Sequence, residues 1–206
     1  QSQDAVAIGH LAGSSSQSQD AVAIGHLAGN LDQDQYAIAI GLSAGQTEQA
    51  DYAVAIGANA GGTQQGDSGV AIGRQAGGSG QGNASVAVGL YAASVTQGEK
   101  SIAIGHRAGD QSQGANSIAI GSRGAVPNSA PGQFSQQTLS IAIGFTCGHT
   151  QQGIAGAGAP GSALAIGNTC SQTQQGANSI AIGYEAGQSH PARTGSDGVA
   201  VFPAGE

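Results

Sequence analysis

The sequence predicts an all-β chain: a single-chain β-solenoid, or parallel β-roll, of about twelve 16-residue coils with two seven-residue loop insertions. Three observations carry that expectation. Residues 1–13 (QSQDAVAIGHLAG) recur unchanged at 17–29, and a looser copy of the same pattern runs down all 206 residues. Each copy contains an apolar triplet, Val/Ile-Ala-Val/Ile, whose two-residue alternation is that of a short strand with two different faces. Gly and short polar residues return at fixed offsets, as the corners of a repeating coil require. A helix fits poorly, because each interior Gly would cost it about 1 kcal/mol.

The elements follow in order from the Gly that closes each triplet. It falls at Gly9, Gly25, Gly41, Gly57, Gly73, Gly89, Gly105 and Gly121, a strict period of 16. Two steps of 23 lead to Gly144 and Gly167, and one more of 16 to Gly183. A degenerate twelfth copy, Gly198-Val199-Ala200-Val201, has Phe202 in the Gly position. One copy reads as two short strands and two corners, and twelve coils stacked at about 4.8 Å make a rod about 58 Å long. The chain reads as one domain over residues 1–206. Its corners are enlarged near 124–134 and 154–160, and residues 195–206 offer a C-terminal cap.

The columns of the repeat differ in what they admit. The middle residue of the triplet is Ala in all twelve copies, from Ala7 to Ala200, while its neighbours vary among Val, Ile and Leu. A position that accepts only Ala is tight, which favours an Ala face turned inward and a Val/Ile stripe turned outward. The reverse, with Val and Ile inside, stays open at this stage. An outward stripe of about two dozen branched side chains is too large for a lone soluble rod and favours an oligomer. Eight residues before the Gly, or fifteen where the insertion at 154–160 intervenes after Gln152, stands Gln1, Gln17, Gln33, Gln49, Gln65, Gln81, Gln97, Gln113, Gln136, Gln152 or Gln175. An identical amide on successive coils predicts a structural Gln ladder, each side chain hydrogen-bonded to the one above and below.

Cys147 and Cys170 occupy one column on adjacent coils, so stacking brings their Cα atoms within disulfide range. Disulfide and stacked free thiols both fit. Asn83-Ala84-Ser85 is a standard glycosylation sequon at a corner, so Asn83 is a candidate acceptor in a secretory pathway. His10, His26 and His106 share a column, but only two are on neighbouring coils, which makes a poor metal site. Asp4 and Asp20 stack likewise, without a calcium-binding repeat. Gly156, Gly158 and Gly161 match a dinucleotide-binding spacing by chance, lacking the flanking strand, helix and acidic residue. No catalytic constellation is legible, so no enzyme activity, cofactor or metal is expected.

Composition narrows the class further. The chain has 37 Gly, 3% aromatic and 8% charged residues, far from an ordinary globular enzyme. A net charge of −7 argues against nucleic acid as partner. No apolar run is long enough to span a bilayer, so no membrane insertion is expected within this chain. Beginning at Gln1 without Met, it reads as a processed form or a fragment.

The copies S-I-A-I-G-x-x-A-G at 101–109 and S-I-A-I-G at 117–121, 140–144 and 179–183 resemble the YadA-like head repeat of trimeric autotransporter adhesins. The period is longer than the family's usual one, and the Gln column is additional. Similar repeats occur in viral and phage fibre proteins. The resemblance implies a left-handed parallel β-roll, commonly a parallel trimer, displayed on a bacterial surface and binding host matrix. A structural or adhesive segment of an extracellular fibre or surface adhesin is therefore expected, at the cell or virion surface. Its partners would be itself, as trimer or filament, and a host or matrix ligand. A self-assembling filament subunit, growing through solenoid ends or the Val/Ile stripe, is the second reading, since no cap is visible before the first coil. An ice-binding solenoid comes third, and the irregular column Ser15, Leu31, Thr47, Thr63, Ser79, Val95, Gln111 speaks against it.

Overall fold

The computed structural model describes residues 2–122, 136–147, 152–154, 162–170, 175–186 and 198–201. Every regular element among them is a β-strand, two to six residues long. Each apolar triplet forms one strand, as Val6–Ile8, Val22–Ile24 and Ile38–Ile40 show at the start. Twelve such strands, up to Gly198–Val201, lie in chain order in one parallel sheet. Pairing joins like to like, Ala7 to Ala23, Ala23 to Ala39, Ala39 to Ala55. We call it the alanine sheet.

The opposite wall is built from the segments that end in Gln. Seven strands, from Ser15–Gln17 to Ser112–Gln113, form a second parallel sheet in which Gln17 pairs with Gln33 and Gln33 with Gln49. Gln136 continues it by an isolated bridge to Gln113, and Gln152–Ile154 pairs with Gln175–Gly176. Nine coils therefore carry a strand on both walls among the described residues. The chain is the expected all-β solenoid. Both 23-residue steps leave the register intact, since Ala119 pairs with Ala142 and Ala142 with Ala165. The enlarged corner at 124–134 and most of the one at 154–160 lie outside the described residues. So does the proposed cap at 195–206, apart from strand Gly198–Val201.

The core decides which face is inside. Ala23, Ala39, Ala55, Ala71, Ala87, Ala103, Ala119, Ala142 and Ala165 are fully buried, as are Ala28, Ala44 and Ala60 three residues after the Gly. The flanking Val and Ile are partly or largely exposed, as in Val22–Ile24 and Val54–Ile56. The interior is thus lined by methyl groups, and the two walls stand close together. Gly at the corners is a steric requirement of the close stacking of coils. Gly41 has φ +130° and an added Cβ would lie 2.8 Å from the carbonyl carbon of Gly57 on the next coil. Backbone bonds between coils, such as Val22 N–H to Ala37 O at 2.9 Å, join each turn to the next.

Candidate functional site

With walls of Ala, the largest fully buried side chains among the described residues include Gln17, Gln33, Gln49, Gln65, Gln97 and Gln136. Gln ends its strand, and its side chain crosses the core towards the alanine sheet. Gln49 Nε2 donates to Ile38 O at 2.8 Å, Ala53 O at 3.2 Å and Gln65 Oε1 at 3.2 Å. Gln17 and Gln33 repeat the three contacts one and two coils earlier. Gln81 and Gln175 keep the bonds to the opposite wall. The shortest of these bonds tie wall to wall, a role that stacking of identical residues does not reveal. Gln1 and the side chain of Gln152 lie outside the described residues.

Other columns adapt to that amide. Gly45, at φ +50°, faces it, and an added Cβ would lie 2.5 Å from Gln49 Oε1. In one coil the same column holds Ala93, fully buried at φ +45°. Where Ser replaces Ala four residues before the Gly, the hydroxyl is buried and bonded, as in Ser85 Oγ to Gly82 O at 2.6 Å. Cys147 and Cys170 are both fully buried in the column of Ala28 and Ala44, with Cα atoms 4.6 Å apart and their sulfurs bonded.

The inside is therefore a closed structural core, and what can meet a partner lies outside. Among the described residues, sixteen large hydrophobic side chains are exposed. Thirteen of them fall in four columns of one side: the two Val/Ile columns of the alanine sheet and the columns that border them. Ile56 is 37% and Ile72 39% exposed. On one border Tyr36 and Tyr52 stack with ring centroids 5.0 Å apart. On the other, His10 and His26 stack at 5.2 Å. The sequence showed these as separate columns, and parallel stacking in register makes them rows. Periodicity alone could have found the apolar face; the ring stacks needed the coil spacing.

Polar groups cluster elsewhere. Arg74 and Arg107 lie over the Tyr91 ring at 5.4 and 5.0 Å from its centroid. Arg107 also pairs with Asp110 at 3.4 Å, and the Ser94 hydroxyl donates to the same carboxylate. Asp32, Asp34 and Glu48 line a shallow depression of about 310 Å³ with Gln64 and Gln65. There burial, and then Asp51 and Asp32, raise the Asp34 carboxyl above its ordinary pKa. No group of three or more His, Cys, Asp or Glu suited to a metal ion occurs among the described residues. Asn83 is exposed at its corner and accepts from the Asp67 N–H at 3.1 Å. Gly156, Gly158 and Gly161 lie outside the described residues.

The family model of the YadA head domain repeat matches in two copies, at residues 175–186. That stretch contains Gln175 and the triplet Ile180–Ile182, and the sheet register places every other triplet in its column. The chain thus carries YadA-like head repeats on a β-solenoid, the make-up of an adhesin-like structural protein. Neither a curated protein nor a solved structure matches it.

Proposed function

We propose that the chain is a non-enzymatic structural or adhesive segment of an extracellular fibre or surface adhesin, and that it associates with copies of itself through the outward face of the alanine sheet. The exposed apolar face carries this reading. Monomers seldom expose apolar patches beyond a few hundred Å², and burying one branched side chain fully is worth about 1.5–3 kcal/mol. Val and Ile here already shield one another along each column, so the gain per residue is smaller, but it repeats on every coil. The head repeat supports a place on a cell or virion surface, and the Cys147–Cys170 bond fits an oxidising compartment. A host or matrix ligand would meet the corners and loops, where solenoids vary most freely.

Light scattering across a concentration range tests the self-association. The expected result is a fixed multiple of the 19.8 kDa chain. Ile56→Asp with Ile72→Asp should return it to a single chain, because each charge would have to be desolvated in the interface. A monomer at every concentration would refute self-association, and open-ended growth would favour the filament subunit.

A further inference from the structure

Cations are few on this rod, and they are gathered. Arg74, Lys100, Arg107 and Arg123 fall within one stretch of a chain that has five Lys and Arg in all. Two of them share one aromatic ring. Arg74 stands one residue after its Gly, and Tyr91 and Arg107 each stand two after theirs, on three successive coils at one corner. The guanidinium carbons lie over the Tyr91 ring, 5.4 and 5.0 Å from its centroid. They come from the coils on either side of it, so two coil steps hold the charges about 10 Å apart with the phenol between them.

The two cations differ in their surroundings. The Arg107 side chain is 29% exposed and donates to Asp110 at 3.4 Å, and that nearly buried carboxylate also accepts from the Ser94 hydroxyl. Asp110 thereby fixes one edge of the Arg107 fork and leaves its other N–H groups for a ligand. Arg74 is exposed, and among the described residues its side chain has no ion pair and no hydrogen bond. The ring attracts it as a cation over its face and holds it in place. Two guanidinium groups against one carboxylate leave an oriented, uncompensated positive pair on a chain of net charge −7.

A guanidinium grips a carboxylate through two parallel hydrogen bonds. The pair therefore fits a ligand with two carboxylates on one edge, about 10 Å apart. An extended acidic peptide repeats its same-face side chains every 6.7 Å or so, roughly two residues of strand, and misses that spacing. A ribbon of β-linked sugar rings meets it. Every second ring turns its carboxylate to the same edge, and one ring is about as long as one coil step. The first 73 residues, with seven Asp and Glu and no Lys or Arg, repel a long polyanion laid along the rod and confine the ligand to a short segment.

We propose that Arg74 and Arg107, braced on the two faces of Tyr91, bind a linear uronic-acid oligosaccharide, one carboxylate to each guanidinium and two rings apart. The inference rests on the adhesive reading above and gives its ligand a chemistry.

Calorimetric titration of the intact chain with trimannuronate, three β-linked uronic acid rings, tests it at low salt. The trimer should bind saturably and about tenfold more tightly than the single sugar acid, and its methyl ester, which keeps the rings and loses the charges, should not bind. Arg74→Gln should weaken the trimer about tenfold, the worth of one charge-assisted pair. Tyr91→Leu keeps both charges without their brace and should also weaken it. Lys100→Gln removes the same charge on the far border of the alanine sheet and should leave binding unchanged. Several results would overturn the site: no binding of the trimer, equal affinity for the single acid, the ester or triglutamate, parent-like affinity in Tyr91→Leu, or equal losses in Lys100→Gln and Arg74→Gln. Light scattering reads the self-association separately, so failure of the site and failure of that reading are told apart.

Discussion

Glutamine is the residue on which the interior turns. The alanine sheet leaves room between itself and the opposite wall for a side chain of intermediate length, and polar backbone carbonyls face that space. An amide suits it because its Nε2 carries two protons for acceptors on the opposite wall while Oε1 accepts from the Gln of the preceding coil. Leucine would fill the volume but leave buried polar groups unmet, at about 1–3 kcal/mol each. The sharper test is Gln49→Glu, close to isosteric. At neutral pH it replaces a donor by a carboxylate aimed at Ile38 O and Ala53 O, 2.8 and 3.2 Å from the present nitrogen. We expect a loss of about 3–5 kcal/mol in chemical denaturation at pH 7, partly recovered as the pH falls and the acid regains a proton to donate. A variant as stable as the parent would show that the cross-core bonds contribute nothing.

At the scale of the coil, stability is a sum of nearly identical neighbours, each turn bonded only to the turns before and after it. Nothing in such a stack depends on distant residues, which is why two insertions of seven residues leave the alanine register unbroken. The Cys147–Cys170 bond fits the same logic. Its thiols take the places that Ala28 and Ala44 take elsewhere, and the bond closes the 23-residue step between two coils. Replacing both, Cys147→Ala with Cys170→Ala, should keep the fold, since Ala is the usual occupant. It should cost about 3 kcal/mol, felt locally. Amide hydrogen exchange would show it as faster opening around residues 141–147 and 162–170, with residues 22–72 unchanged. Uniform acceleration along the chain would mean that the coils are not independent.

Over the whole molecule, charge is distributed unevenly. The first 73 residues hold seven Asp and Glu and no Lys or Arg, whereas residues 74–123 hold four Lys and Arg and two acids. The acidic end carries a mild strain at Asp34, whose carboxyl pKa is raised first by burial and then by Asp51 and Asp32. A carboxyl whose folded pKa is raised favours the folded state when protonated, so this strain is present at neutral pH and relieved as the pH falls. Asp34→Asn should therefore raise the thermal midpoint at pH 7 in low salt. The gain should shrink to nothing near pH 3.5, below the ordinary Asp range of about 3.9. A gain of equal size at both values would assign the effect to something other than charge. The same uneven distribution gives the rod a direction, and with its one-sided apolar face makes parallel alignment of copies distinguishable from antiparallel.

The coil was legible in the sequence because a period of 16 with Ala in one column in every copy admits few folds. Gly at fixed offsets marked the corners, and alternation marked the strands. A column that admits only Ala favoured the Ala face inside, but the alternation Val/Ile-Ala-Val/Ile can be turned either way and left the reverse open. Only the distance between the two walls decided it. Once both walls face each other so closely that one Gln49 side chain spans the gap to Ile38 O at 2.8 Å, branched residues no longer fit between them. Gln, which reads in one dimension as a ladder along the rod, also becomes the filling of the core for the same reason. The ring stacks of Tyr36 on Tyr52 and His10 on His26 likewise appear only when 16 residues of chain become one step along the rod. Local pattern determined the repeat unit; the gap across the coil, a tertiary quantity, determined which of its faces is left for a partner.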